Sequence, residues 1–127
     1  DVISMQTGIM GYKGHIHYQA APCIDEWLRE LPDDMPKNEF YVAVAEHLDH
    51  EIWRGYRLYP SNFVALDLLR GTAEHADRYT AEDRQRFEAY LDAQLKKVQL
   101  PNPDWAFLRE RILTMYANPA INQLSVI

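Results

Sequence analysis

The chain has 127 residues and a formal net charge of −6, with 13 Lys and Arg against 19 Asp and Glu. Apolar residues at 47% and aromatics at 12% exclude a disordered chain and allow one domain with its own core. The acid excess argues against nucleic acid as a partner, since neutralising phosphates takes a basic face, and a single cysteine, Cys23, leaves no disulfide framework and no cysteine-rich zinc site.

Residues 1–22 read as a β segment. Ile16, Tyr18 and Ala20 alternate with His15, His17 and Gln19, the period of a half-buried strand. Gly8, Gly11 and Gly14 punctuate the stretch, so a β-hairpin with residues 2–7 as its other arm is expected. Two strands alone are marginal in water, so this segment reads as part of a sheet lying mostly elsewhere, or as packed on the helices that follow. No basic and apolar leader is visible, and the chain opens on Asp1 rather than Met, which reads as an artificial boundary or a cut from a longer protein.

Residues 23–127 read as helical. A short helix over 24–31 stops at Pro32. Residues 37–54 carry Phe40, Val44, Leu48 and Ile52 every fourth position, and Gly55 follows. Pro60 and Ser61 open a third helix, with Ser61 or Asn62 satisfying its free amides and Gly71 just past its end. Phe63, Val64, Ala65, Leu66, Leu68 and Leu69 surround that helix with apolar side chains, which predicts burial on most faces. Asp67 is then a buried carboxylate, with Arg70 or a neighbouring backbone amide as its expected partner. Thr80 caps a fourth helix whose apolar face is Phe87, Leu91, Leu95 and Val98, ended by Pro101. Asn102 and Pro103 open a fifth, with Trp105, Leu108, Ile112 and Met115 as its stripe and Asn118-Pro119 as its end. The expected fold is mainly α: a bundle of four to five helices with a short β segment in front. No apolar run approaches the roughly 20 residues of a membrane span; Phe63-Val64-Ala65-Leu66 is followed at once by Asp67.

Residues that could carry chemistry are few. Residues 25–51 hold nine acids against Arg29 and Lys37, whereas Arg54, Arg57 and Arg70 follow with only Asp67 near them. Arg54 and Arg57 are therefore the candidates for holding an anion, or for pairing with Glu51, which projects into the apolar arc of its helix. His15 and His17 share a strand face, and two ligands fall short of the three or four that zinc takes. His47 and His50 sit in Glu46-His47-Leu48-Asp49-His50-Glu51, spaced for i,i+4 pairs with Glu51 and Glu46 rather than for a metal motif. His75 reads as exposed loop. None of Ser4, Ser61 and Ser125 lies in a Gly-x-Ser-x-Gly phrase, and no glycine-rich phosphate loop is present. No metal or cofactor is expected.

The phrase Tyr56-Arg57-Leu58-Tyr59-Pro60-Ser61-Asn62-Phe63-Val64-Ala65-Leu66-Asp67-Leu68-Leu69 resembles the segment following the catalytic domain in bacterial glycerolipid acyltransferases, relatives of the 1-acylglycerol-3-phosphate acyltransferases. Lys13-Gly14-His15-Ile16-His17-Tyr18 resembles a late strand of that domain, and Met115-Tyr116-Ala117-Asn118-Pro119 the end of the same proteins. The family's reaction takes His-x-x-x-x-Asp, in which His activates the acceptor hydroxyl and Asp orients it. The residues five positions after the histidines are Ala20, Pro22, Ile52, Gly55 and Thr80, so that motif is absent here. The resemblance therefore implies a C-terminal, non-catalytic part of a phospholipid-biosynthesis enzyme. Its structural motif would be Arg57, Tyr59, Pro60, Ser61, Asn62 and Asp67. The partners implied are an upstream acyltransferase domain, with acyl-CoA or acyl carrier protein and a lysophospholipid as its substrates. The implied location is cytoplasmic, peripheral to the inner membrane. The alternative is a self-standing helical interaction module using Tyr41, Trp53, Tyr56, Tyr59 and Trp105 as contact surface.

Overall fold

The computed structural model describes residues 1–127. Six α-helices follow in order: α1 (Val2–Met10), α2 (Asp25–Glu30), α3 (Lys37–Gly55), α4 (Pro60–Arg70), α5 (Ala81–Leu95) and α6 (Trp105–Ser125), with one 3₁₀ turn at Ala76–Arg78 between α4 and α5. The mainly-α bundle is as expected from the sequence. Its core is built from α4, α5 and α6 alone: Phe63, Val64, Ala65 and Leu66 meet Phe87 and Leu91, and Leu113, Ala117 and Ala120. α4 lies at the centre, against α6 along most of its length and against α5 and the 3₁₀ turn on its other sides. An all-round apolar helix has to be placed this way, because every face left in water would cost burial energy.

Local signals fix the helix ends. Gly71 adopts φ 66° past the end of α4, and its amide and that of Thr72 close onto the Asp67 carbonyl. Thr80 accepts from the Asp83 amide at 3.1 Å while the Asp83 carboxylate accepts from the Thr80 amide at 3.0 Å, a reciprocal cap that starts α5. At α4 the capping side chain is Asn62, not Ser61: its Oδ1 accepts from the Tyr59 amide at 2.8 Å. Its Nδ2 donates to the Tyr116 carbonyl at 2.9 Å, which ties the start of α4 to α6. Gln123 makes the second tie, donating through Nε2 to the carbonyls of Trp53 at 3.0 Å and Tyr56 at 2.7 Å at the open end of α3.

Several sequence expectations are corrected here. No β-hairpin forms: residues 2–10 are helical, capped by Asp1 onto the Ile3 amide, and residues 12–23 adopt no regular secondary structure, with Gly14 at φ 69°. A ladder needs two strands in register, and the residues expected as the other arm have spent their amides on a helix. The cap of α6 is Asp104, two residues after the expected Asn102, accepting from the Phe107 amide at 3.0 Å; Asn102 takes a left-handed φ of 53° instead. α6 also runs through Pro119 to Ser125. A proline inside a helix costs about 3 kcal/mol, and burying Ala117 and Ala120 against α4 on either side of it offsets that cost. The buried stripe of α6 is Leu113, Ala117 and Ala120, while Trp105 and Met115 are exposed. On α3, Leu48 and Ile52 are exposed too, and no residue of that helix is fully buried.

Candidate functional site

The centre of α4 carries the single buried charge of the molecule, Asp67, 1% exposed. Its Oδ1 accepts from His75 Nδ1 at 2.9 Å and from the Thr72 hydroxyl at 3.3 Å. Its Oδ2 accepts from the Tyr79 hydroxyl at 2.9 Å and from the His75 amide at 3.1 Å. The αL turn at Gly71 reverses the chain so that residues 72–79 fold back over the carboxylate and present these donors. Burial alone would push the Asp67 carboxyl up, but the hydrogen bonds of His75 and Tyr79 outweigh it and hold the carboxyl below its ordinary value. Tyr79 shifts up, first because it is buried and then because its proton is held by Asp67.

This network corrects two readings. Arg70 is exposed at the end of α4 and does not pair with Asp67, whereas a neighbouring backbone amide does, that of His75. His75 is not an exposed loop residue: it is half-buried, its ring stacked on Phe63 at 5.7 Å between centroids. An imidazole oriented by a buried carboxylate is the positioning half of an acid–base pair. The nucleophilic half is missing, because the His75 ring bonds only to Asp67 and no Ser, Thr or Cys side chain is bonded to it.

A cleft of about 370 Å³ opens between the start of α4, α5 and α6, lined by Tyr59, Pro60, Ser61, Asp83, Arg86, Phe87, Tyr90 and Tyr116. The Tyr90 and Tyr116 hydroxyls lie 2.7 Å apart, and Tyr116 stands edge-on to Phe87 at 5.3 Å. Burial and then the bond to Tyr90 push the Tyr116 phenol up to about 12, so it stays protonated near neutrality. The Asp83 carboxyl is lowered by the Thr80 amide and hydroxyl that cap α5. Arg86 at the rim pairs with Glu82 at 2.7 Å.

The expected motif residues are spread over these features. Tyr59, Pro60 and Ser61 line the cleft, Asn62 is the link from α4 to α6, and Asp67 is the centre of the buried network. Arg54 and Arg57 do not converge: Arg54 pairs with Glu51 at 2.6 Å, as the sequence allowed, and Arg57 lies over the Tyr59 ring at 5.6 Å. His47 stacks on Trp27 at 3.9 Å and His50 leans on Trp53 at 5.4 Å, rather than pairing with Glu51 and Glu46. No three His, Cys, Asp or Glu side chains come together as a metal-holding group. Thr72, His75, Tyr79, Tyr90 and Tyr116 were not singled out from the sequence for these roles. A signal for the first three exists: a carboxylate inside an apolar helix needs donors, and they are the first side-chain donors after the Gly71 turn that the fold-back could use. No protein family, no curated protein and no solved structure matches this chain.

Proposed function

We propose that this chain is the C-terminal, non-catalytic segment of a glycerolipid acyltransferase, the parent enzyme moving a fatty acyl group from acyl-CoA or acyl carrier protein to a lysophospholipid or glycerol-phosphate acceptor. The observation that carries the reading is the Tyr56–Leu69 phrase without any His-x-x-x-x-Asp in the chain. The way the phrase folds supports a scaffolding role: Asn62 spends both ends of its amide inside the molecule, and Asp67 spends both oxygens. Such groups hold an architecture; they are not free to meet a substrate. No helix is long and apolar enough to cross a membrane, which agrees with a cytoplasmic enzyme that meets its lipid from the membrane surface.

The test is turnover of acyl-CoA with lysophosphatidate by the full-length protein and by residues 1–127 alone. The reading expects activity only in the full-length protein. Turnover by residues 1–127, lost on His75→Ala, would overturn it. A second reading, a self-standing interaction module, draws on the exposed rings of Tyr41, Tyr56 and Trp105. An inactive full-length protein that binds a partner through those residues would favour it.

A further inference from the structure

Arg57 stands out in the sequence as a candidate for holding an anion, and the fold brings it together with side chains from some 40 residues earlier. A cleft of about 400 Å³ lies between residues 15–21 and the corner where α3 ends and α4 begins. His15 and His17 line one wall; Glu51, Arg57 and Tyr59 line the other. Residues 12–23 make no backbone–backbone hydrogen bond, yet two side-chain contacts join the walls. The His15 ring stacks with Tyr59 at 6.4 Å, and Gln19 lies so close to Gly55 that a Cβ there would sit 3.1 Å from its Cγ.

The cleft is rich in donors and short of acceptors. Arg57 lies over the Tyr59 ring at 5.6 Å and has no carboxylate partner, whereas Arg54 on the same corner pairs with Glu51 at 2.6 Å. That pair cancels the one acidic side chain of the lining, so Arg57 sets the sign of the cleft in a chain of net charge −6. His15 and His17 make no side-chain hydrogen bond either. Arginine offers five N–H donors in a planar fork, and each imidazole offers at least one. An uncompensated guanidinium repels a cation, and no third ligand joins the two histidines to hold a metal. The complementary ligand is an anion that only accepts. A carboxylate presents two oxygens in one plane, while a phosphate group presents three or more set tetrahedrally, which suits donors arriving from two walls. The volume lies at the low end of the roughly 300–1,000 Å³ of small-molecule sites, so it leaves room for the group that carries the phosphate.

We infer that this cleft binds a phosphate monoester, with Arg57 gripping the phosphate oxygens and His15 and His17 donating from the opposite wall. The same chemistry serves a soluble phosphate ester and the headgroup of a phosphate-ended lipid. The inference stands on the donors of the cleft and not on any acyl transfer.

Calorimetric titration of residues 1–127 with methyl phosphate tests it, beside co-sedimentation with phosphatidylcholine vesicles that contain or lack phosphatidate. Methyl phosphate should bind saturably at one site, and acetate about 10-fold more weakly or worse. Arg57→Ala should weaken methyl phosphate binding by about 10-fold or more, and His17→Ala by about 3-fold. Arg70→Ala, at another exposed arginine with no ion pair but outside the cleft, should leave it unchanged. Should Arg57→Ala disturb the α3–α4 corner, His17→Ala at its exposed position still decides. Retention on phosphatidate vesicles that Arg57→Ala abolishes would support the inference with a lipid headgroup as the source. Methyl phosphate binding without such retention would support it with a soluble ester. Absence of saturable binding in both arms would overturn it. So would acetate binding as tight as that of methyl phosphate, or equal losses for Arg57→Ala and Arg70→Ala, which would mean diffuse charge attraction. Turnover is not read, so failure here leaves the proposed function standing, and an inactive full-length protein leaves this inference standing.

Discussion

The two ends of this protein use similar amounts of apolar sequence to opposite effect. In α4, α5 and α6 the apolar side chains close on one another, and every fully buried residue of the molecule lies there. In α1, the irregular segment at 12–23 and α3, equally apolar residues such as Ile9, Ile16, Leu48 and Ile52 remain exposed. Composition does not separate the two regions; partnership does. α4 has neighbours on three sides, whereas α1 packs against no helix and α3 meets only the end of α6 and, through His47, the Trp27 ring of α2. Apolar periodicity marks a face that will be buried, without saying whether the covering surface lies within the same stretch of chain.

Substitutions should divide the molecule along that line. The largest effect is expected at Asp67. Asp67→Ala strands the Tyr79 hydroxyl, the His75 amide and the His75 ring together, and should cost about 3–5 kcal/mol in denaturant unfolding. A cost near zero would mean that the fold-back over α4 is not formed in solution. Next, Leu66→Ala or Leu91→Ala should cost about 2–5 kcal/mol, since both are fully enclosed. Leu48→Ala and Ile9→Ala should stay within about 0.5 kcal/mol in residues 1–127. Equal losses in the two groups would erase the contrast between the regions.

Asn62→Ala should cost about 1–2 kcal/mol by freeing the Tyr59 amide and the Tyr116 carbonyl, while Ser61→Ala should cost less than about 0.5 kcal/mol. Paired melting curves of the two variants decide which residue starts α4. The smallest effects follow pH. The Asp67 carboxyl is lowered in the folded protein, so the unfolded chain takes up the proton first as pH falls. The stability Asp67 contributes is complete above its unfolded value near 3.8 and is lost as pH drops through the lower folded one. Tyr116 works in the other direction: raised to about 12, it contributes stability that is complete below about pH 10 and fades as pH climbs toward the folded value. Asp67→Asn should flatten the acid limb of the stability profile, and Tyr116→Phe the alkaline limb.

Much of the helical plan was legible because its signals are local. Thr80 with Asp83, and Gly71 after α4, satisfy helix-end groups within a few residues, so the sequence holds both partners of each bond. The burial of α4 was legible for a related reason, because a helix apolar on every face has no solvent side to offer. Asp67 could be read as buried and paired, but not with which groups. Arg70 is three residues away and points off the core, while Tyr79, twelve residues on, reaches it only after the turn at Gly71. The end of α6 was misread because Pro119 is a reliable local stop that a distant contact overrode: α4 accepts Ala117 and Ala120. The stripe of α6 was misread for the same reason. Small alanines carry little hydrophobic signal, yet they are what permits two helices to approach closely.

The sequence by itself determined that this is a mainly helical protein, where α3 and α4 start and stop, where α5 starts, and which helix lies at the centre, whereas α5 ends at Leu95, short of the expected Pro101. Those properties follow from backbone capping and from periodic side-chain polarity, both written within a dozen residues. Only the tertiary structure decided that His75 and Tyr79 hold Asp67, that Asn62 and Gln123 tie α4 and α3 to α6, and that the first 23 residues form no strand. Each of those depends on which surfaces meet. A hydrogen bond or a buried face between segments 10 to 70 residues apart is set by the packing of the whole helices that carry them, not by the residues beside it in the chain.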